Sequence, residues 1–200
     1  MKKLLPLATL LCWGCASASP WIPLQADSGP SPAVVLVWAG QGACERLEEG
    51  HWVRRPTFDY SFTVEQRRYG DHWESVKTMR RLHPDYDGSA GPRTQVFFFR
   101  LDLAEPDAQG TVALALKSSL GDGGGSTDRE FRSAELNFLA AGVSGWAPFD
   151  RYRIRQDYRY EAGELREMVE LNKGQEPWVR NSEQATLFAP QRFQTPPTLR

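Results

Sequence analysis

The segment "HPDYDGSAGPR" holds the densest group of side chains that could do acid–base or metal chemistry. His83, Asp85 and Asp87 lie close together in it, and an imidazole beside carboxylates can act as a general base or ligate a metal ion. The same segment contains Pro84 and Gly88, and in turns rich in such residues Asp side chains accept hydrogen bonds from nearby backbone amides. We therefore favour a structural turn, with a small extracytoplasmic hydrolase using His83 with Asp85 or Asp87 as the alternative.

No other segment carries a recognisable catalytic or cofactor motif. The run "GDGGGSTD" lacks the lysine that a phosphate-binding loop needs, and it matches a calcium-binding repeat only in part and only once. We interpret it as a flexible glycine-rich loop. The three histidines, His51, His72 and His83, lie in separate segments without metal-ligand spacing. The sequence predicts no catalytic set, no metal site and no cofactor.

Cys44 is the one cysteine of the chain outside the N-terminal leader, which holds Cys12 and Cys15. If the leader is removed, or if Cys15 is modified, Cys44 has no partner for an intramolecular disulfide. A lone cysteine beside an apolar strand is usually a small buried hydrophobic residue. A reactive thiol or an intermolecular link is the alternative.

The N-terminus has the pattern of a secretory signal over residues 1–18. Lys2 and Lys3 precede an apolar run over residues 4–13, which is shorter than the roughly 20 residues that a membrane-spanning helix needs. Signal peptidase could cleave after Ala18, at the small-residue site "ASA".

A second processing route begins at Cys15. The residues "WGCAS" resemble the end of a bacterial lipoprotein signal, in which a small residue, here Gly14, precedes the cysteine; Cys12 stands where such signals usually carry an aliphatic residue. The resemblance implies that Cys15 is lipidated and becomes the new N-terminus. Both routes place the protein outside the cytoplasm, in the bacterial outer membrane or periplasm, and the second gives it a membrane partner through the lipid.

Composition divides the rest of the chain into three parts. Residues 19–32 are rich in Pro, Ser and Gly, and this composition predicts a flexible tether. Residues 33–190 have the length of one domain with a sizeable core. Residues 191–200 form a proline-rich tail.

Alternating apolar and polar residues predict strands along most of the domain. In "TFDYSFTVEQRR" the apolar side chains alternate with polar ones, as in a strand with one buried face. The next segment, "HWESVKTMRRL", completes a hairpin, but its apolar residues do not keep one parity, so we expect a bulge or a weakly specified register. Further strands are predicted at "AVVLVWAG", "TQVFFFRLDL" and "TVALALKSSL", and a short hairpin at the Glu49-Gly50 turn.

Two later segments give sharper predictions. "SAELNFLAAGVSG" predicts a short helix over residues 133–141, because Leu136, Leu139 and Ala140 have helical spacing. The segment 149–174 predicts a long hairpin turning at Ala162-Gly163, with Ile154 opposite Leu171. In that register Arg155 faces Glu170 and Arg159 faces Arg166.

These elements predict a mainly β protein: a single antiparallel meander curled into a barrel or sandwich, with at most one short helix. A chain with 24 Lys and Arg against 25 Asp and Glu lacks the basic excess expected of a nucleic-acid-binding protein. Its recurrent arginines are expected on solvated strand faces neutralised by glutamates.

Function is inferred from this shape together with the absence of motifs. Aromatic residues make up 12% of the chain, and a small barrel filled with them can enclose a ligand. We expect a non-enzymatic cell-envelope protein, in its most specific form a lipocalin-like binder of an apolar small molecule. The ligand would contact residues such as Phe58, Phe62, Phe97 and Phe99. The alternatives are the hydrolase at His83 and an envelope interaction or scaffold domain.

Overall fold

The computed structural model describes residues 32–140 and 149–188. Within these residues the chain forms eleven antiparallel strands joined by short connections, with one turn of 3₁₀ helix at Pro56–Phe58. The strands are β1 (Val34–Glu48), β2 (His51–Arg54), β3 (Tyr60–Arg68), β4 (His72–Arg81), β5 (Thr94–Leu103), β6 (Thr111–Ser118), β7 (Gly121–Asp128), β8 (Ser133–Leu139), β9 (Arg151–Arg159), β10 (Glu164–Lys173) and β11 (Glu176–Leu187).

The sheet closes into a barrel. Each strand from β3 to β11 pairs with its neighbour in sequence, and β1 pairs with both β3 and β11. Ten of the described strands thus form the wall, which has no free edge. The predicted mainly β meander is confirmed, and the structure decides for a barrel over a sandwich.

β1 is a single strand of 15 residues that runs past the wall to pair with β2. The turn between them is formed by Glu49 and Gly50, both with positive φ (49° and 80°), as predicted for this hairpin. We call the end of the barrel that carries this hairpin, Tyr60 and Arg81 the hairpin end.

Alternation along each strand sends one set of side chains into the barrel. On β3 the buried set begins with Tyr60, Phe62 and Val64, as the sequence predicted, and it continues with Gln66 and Arg68. The opposite wall contributes these buried apolar side chains: Val112, Leu114, Leu116, Ala134, Leu136, Phe138 and Ile154.

The helix predicted over residues 133–141 is wrong, because residues 133–139 form strand β8. Ala134, Leu136 and Phe138 alternate into the core, whereas Leu139 is 59% exposed. The segment satisfies two periodicities, and tertiary pairing with β7 and β9 selects the period of two.

The flexible loop predicted at "GDGGGSTD" is also wrong, since these residues form β7. Its glycines permit close approach to β8: a Cβ at Gly125 would lie 1.8 Å from the carbonyl oxygen of Glu135, and one at Gly123 would lie 2.5 Å from the Cβ of Phe138. The glycines therefore accommodate a neighbouring strand.

The last predicted hairpin is confirmed, but its register differs by two residues. Leu165 pairs with Tyr158, and Arg159 pairs with Glu164. The unfavourable pairing of Arg159 with Arg166 does not occur, because the connection spans residues 160–163.

Most arginines on the outer face are neutralised, as expected. Arg54 contacts Asp59 at 2.5 Å and Arg153 contacts Glu135 at 2.8 Å. Arg68 and Arg81 differ, since both face the interior and are 9% and 4% exposed.

The signal over residues 1–18, Cys15, the tether apart from its last residue and the tail over residues 191–200 lie outside the described residues. In the described part of the chain no helix is long and apolar enough to span a membrane.

Candidate functional site

The barrel interior contains three buried charged side chains in direct contact. Lys77 on β4, Glu167 on β10 and Glu183 on β11 have side chains 12%, 8% and 3% exposed. Together with Tyr60 and Gln156, which hydrogen bond to them, we call this group the luminal cluster. Burying charges costs several kcal/mol for each ion unless they are paired, so the pairing geometry is decisive.

Lys77 bridges the two carboxylates. Its Nζ donates to Glu167 Oε1 at 2.8 Å and to the two carboxylate oxygens of Glu183 at 2.7 and 2.5 Å. An ammonium group has three donors, and these contacts engage all of them.

The remaining contacts of the cluster come from Tyr60, from Gln156 and from the two carboxyl groups themselves, since a hydrogen bond with Glu183 helps to lower the pKa of Glu167. The hydroxyl of Tyr60 donates to Glu183 Oε1 at 2.5 Å. The side-chain amide of Gln156 donates to Glu167 Oε2. Each carboxyl group is thus held by the ammonium, by one neutral donor and by the other carboxyl group.

Strand register brings most of these residues into one row around the wall. Gln156 pairs with Glu167, and Glu167 pairs with Glu183. Glu183 pairs with Gly42, which pairs with Tyr60. Lys77 reaches this row from β4 with its long side chain.

Gly42 lets the tyrosine cross β1. A Cβ at this position would lie 2.2 Å from Tyr60 Cζ and 2.7 Å from its hydroxyl oxygen. Without a side chain at Gly42, the ring covers β1 and delivers its hydroxyl to Glu183 on the far side.

The cluster perturbs the ionisation of its members. Burial raises the pKa of Glu183 to about 7; the Glu167 carboxylate adds to the rise, and Lys77 offsets part of it. Burial acts in the same direction on Glu167, but Lys77 outweighs it and lowers that pKa. Burial disfavours the charged form of Lys77, yet the two carboxylates outweigh it and raise the pKa of its ammonium group.

A second polar bridge crosses the barrel nearby. Trp38 Nε1 donates to Gln66 Oε1 at 2.8 Å, and Gln66 Nε2 donates to the Tyr158 hydroxyl at 2.8 Å. Both aromatic side chains are almost fully buried. This bridge links β3 to β9 and satisfies its polar groups internally.

Aromatic residues border the luminal cluster. Phe62 is buried and its ring centroid lies 4.7 Å from Lys77 Nζ, while Phe97 pairs directly with Lys77 across β4 and β5. Phe97 and Phe99 face inward and are only partly buried. Of the four phenylalanines expected to contact a ligand, Phe58 differs, because it lies in the 3₁₀ turn and packs against Tyr86.

Two inward-facing amides near the hairpin end have unused acceptors. Asn181 pairs with the buried Cys44, and Gln95 pairs with the buried Met79, so their side chains share the inner face. Asn181 Oδ1 and Gln95 Oε1 are buried atoms without a hydrogen-bond partner in the structure.

The His83 segment forms the turn that we favoured. His83 Nδ1 lies 3.9 Å from Asp85 Oδ2 and accepts the Asp85 amide at 3.2 Å. Asp87 Oδ1 accepts the Ser89 amide at 2.8 Å. Both aspartates thus have local roles in the turn, and the 3.9 Å between His83 Nδ1 and Asp85 Oδ2 is too long for a hydrogen bond.

Cys44 lies inside the hairpin end and is 6% exposed. Burial raises the pKa of its thiol to about 11. The buried, unreactive form that the sequence favoured therefore fits this environment.

Sequence reasoning missed the luminal cluster, although β4 and β10 each carried a signal. Lys77 shares its parity with Trp73 and Met79 on β4, so the broken alternation that predicted a bulge marks inward polar residues instead. The β3–β4 register has no irregularity. Glu167 likewise interrupts an inward apolar set on β10.

The fold and this cluster define the chain as a closed antiparallel barrel with an ionised interior. No protein-family model matches the chain, and no curated protein is significantly similar to it in sequence. Among residues 32–140 and 149–188, no three His, Cys, Asp or Glu side chains are placed to hold a metal ion.

Proposed function

We propose that this protein is a non-enzymatic binder that takes a small amphiphilic molecule into the hairpin end of its barrel, in the manner of a lipocalin. The observation that carries the proposal is the combination of Phe97 and Phe99, inward-facing and partly exposed, with the buried charges of the luminal cluster. Ligand sites commonly join apolar walls to a few convergent polar groups.

The energetic argument supports the same proposal. A barrel needs only apolar side chains to fill its interior, and replacing a buried ion pair by apolar residues is often neutral or stabilising. Retaining Lys77, Glu167 and Glu183 inside the barrel is therefore better accounted for by recognition than by stability.

Native mass spectrometry of the protein purified from its host tests for a retained small molecule. In a second assay the neutral fluorophore N-phenyl-1-naphthylamine is titrated into the protein. Phe97→Ala should weaken its binding about tenfold, corresponding to about 1.4 kcal/mol. Val96→Ala is the matched control, because Val96 lies on the same strand and is 39% exposed. This variant should bind the fluorophore as tightly as the wild-type protein does.

If no molecule is retained and the fluorophore does not bind the folded wild-type protein, the binder is refuted and an envelope interaction domain takes its place. Equal loss of affinity in both variants would place the fluorophore outside the barrel. Thermal unfolding of each variant separates lost binding from lost folding.

We further propose that the barrel acts in the bacterial cell envelope, anchored through lipidated Cys15 or released by cleavage after Ala18. The basis is the signal pattern at the N-terminus. Mass spectrometry of the mature protein distinguishes an acylated Cys15 from a free Ser19, and an intact Met1 would refute export.

A further inference from the structure

We propose that the luminal cluster recognises a protonated amine, so that the ligand is a cationic amphiphile with an alkyl or aromatic tail. This inference rests on the proposed binding function and specifies the chemistry of its ligand. It follows from the hydrogen-bond acceptors that remain available in the cluster and from the balance of its charges.

The donors of the cluster are engaged and its acceptors are not exhausted. The three donors of Lys77, the hydroxyl of Tyr60 and one of the two amide hydrogens of Gln156 point to carboxylate oxygens. Two carboxylates offer about eight acceptor sites between them; these contacts use five, and the hydrogen bond between Glu167 and Glu183 uses one more when Glu183 holds a proton. The unpartnered oxygens of Asn181 and Gln95 add further acceptors on the same inner face.

Charge favours a cation over an anion. One ammonium faces two carboxylates, so the fully ionised cluster carries one excess negative charge. Within the cluster a ligand carboxylate would meet two like charges, whereas an ammonium group would offset the excess charge. Phe62 and Phe97 border the position, and aromatic faces attract cations.

The other charged or titratable groups facing this region are Arg81, which adds a positive charge, and the neutral side chains of Tyr60, Tyr158 and Cys44. Burial raises the pKa of Tyr60 well above its usual value. Arg81 lies over the rings of Tyr60, Phe58 and Tyr86 and donates to the Phe58 carbonyl. Burial raises the pKa values of Tyr158 and Cys44, so both stay neutral at pH 7.

Binding of an ammonium group is then coupled to release of a proton. Because burial raises the pKa of Glu183 to about 7, part of the protein holds a proton on that carboxyl at neutral pH. The bound cation stabilises the carboxylate, and the proton leaves to solvent. No covalent bond of protein or ligand changes.

Isothermal titration with octylamine, octanoate and octan-1-ol tests the inference with one tail and three head groups. Octylamine should bind at least about tenfold more tightly than octanoate at pH 7. Its affinity should be several-fold higher at pH 8 than at pH 6, because the amine remains protonated while Glu183 loses its proton. Its binding heat should depend on the ionisation enthalpy of the buffer.

Glu183→Gln provides the decisive variant. It should reduce octylamine affinity about tenfold and abolish proton release, while octan-1-ol binding stays the same. Glu170→Gln is the control, since Glu170 lies on the outer face and contacts Arg155; it should behave like wild type.

Two failures are distinguishable. If octan-1-ol or octanoate binds as tightly as octylamine, or if Glu183→Gln leaves octylamine binding and proton release intact, the amine inference is refuted and the binder stands. If none of the three probes nor N-phenyl-1-naphthylamine binds, the proposed function fails and the inference fails with it.

Discussion

Lys77 is the residue on which the buried charges depend. Replacing it by methionine removes the cation between Glu167 and Glu183 while keeping most of its volume. We expect Lys77→Met to lower the free energy of unfolding by about 3–5 kcal/mol at pH 7.5, and by less at pH 5, where the carboxyl groups can hold protons. Urea denaturation at the two pH values measures this.

Lys117→Met is the matched control for that variant. Lys117 lies on the exposed face of β6, so its loss should change the free energy of unfolding by no more than about 0.5 kcal/mol. Equal effects of the two substitutions would contradict a stabilising role for the buried ammonium.

Glu183 makes stability depend on pH in a defined window. Its pKa rises from 4.5 to about 7 on folding, so the folded state binds the proton more tightly than the unfolded chain. The resulting contribution of Glu183 to the free energy of unfolding is complete below pH 4.5 and is lost as the pH rises to about 7. Within that window the free energy of unfolding falls by at most about 1.4 kcal/mol per pH unit. The lowered pKa of Glu167 acts in the opposite direction, and below pH 4.5.

Comparison of wild type with Glu183→Gln isolates this slope. Between pH 4.5 and 7 the wild-type free energy of unfolding should fall relative to that of the variant, measured by urea denaturation at half-unit steps. Glu164→Gln, at a 43% exposed side chain, should follow the wild type. Parallel curves for wild type and Glu183→Gln would show that the proton is not held at this carboxyl.

At the scale of the element, β7 depends on its glycines. Gly125→Ala places a Cβ against the backbone of Glu135, which cannot rotate away as a side chain can. We expect a loss of about 1–3 kcal/mol in the free energy of unfolding. Gly70→Ala is the control, because no atom lies within 4 Å of its added Cβ and its φ is not positive.

That pair of variants also decides between a strand and a loop at "GDGGGSTD". A flexible connection would tolerate alanine at residue 125 as readily as at residue 70. Chemical denaturation of both variants gives the comparison directly.

For the whole molecule, closure of the barrel through β1 and β11 predicts that the backbone amides of all wall strands are similarly protected from hydrogen exchange. Their register extends over Trp38–Arg46 and Val179–Leu187, so neither strand is an edge. In hydrogen–deuterium exchange, peptides from these segments should exchange as slowly as those from the central strands β6 and β8. The β1–β2 turn should exchange faster, and rapid exchange along β11 would contradict closure.

Local sequence determined much of the wall. The alternation from Tyr60 to Val64, the turns at Glu49-Gly50 and Ala162-Gly163, and the scarcity of helical patterns were sufficient to predict an antiparallel meander. These signals are local, because a strand's inward face and its turn depend on neighbours in sequence.

The tertiary structure decided what local pattern could not. Residues 133–139 fit a helix or a strand until β7 and β9 pair with them, and glycine-rich β7 has no side chains to reveal its period. The luminal cluster joins Lys77 to Glu167 and Glu183, which lie 90 and 106 residues away along the chain. Each charged residue interrupts the inward-facing pattern of its own strand. Only closure of β1 on β11 brings the three charges together, and their pairing offsets the free-energy cost of burying them.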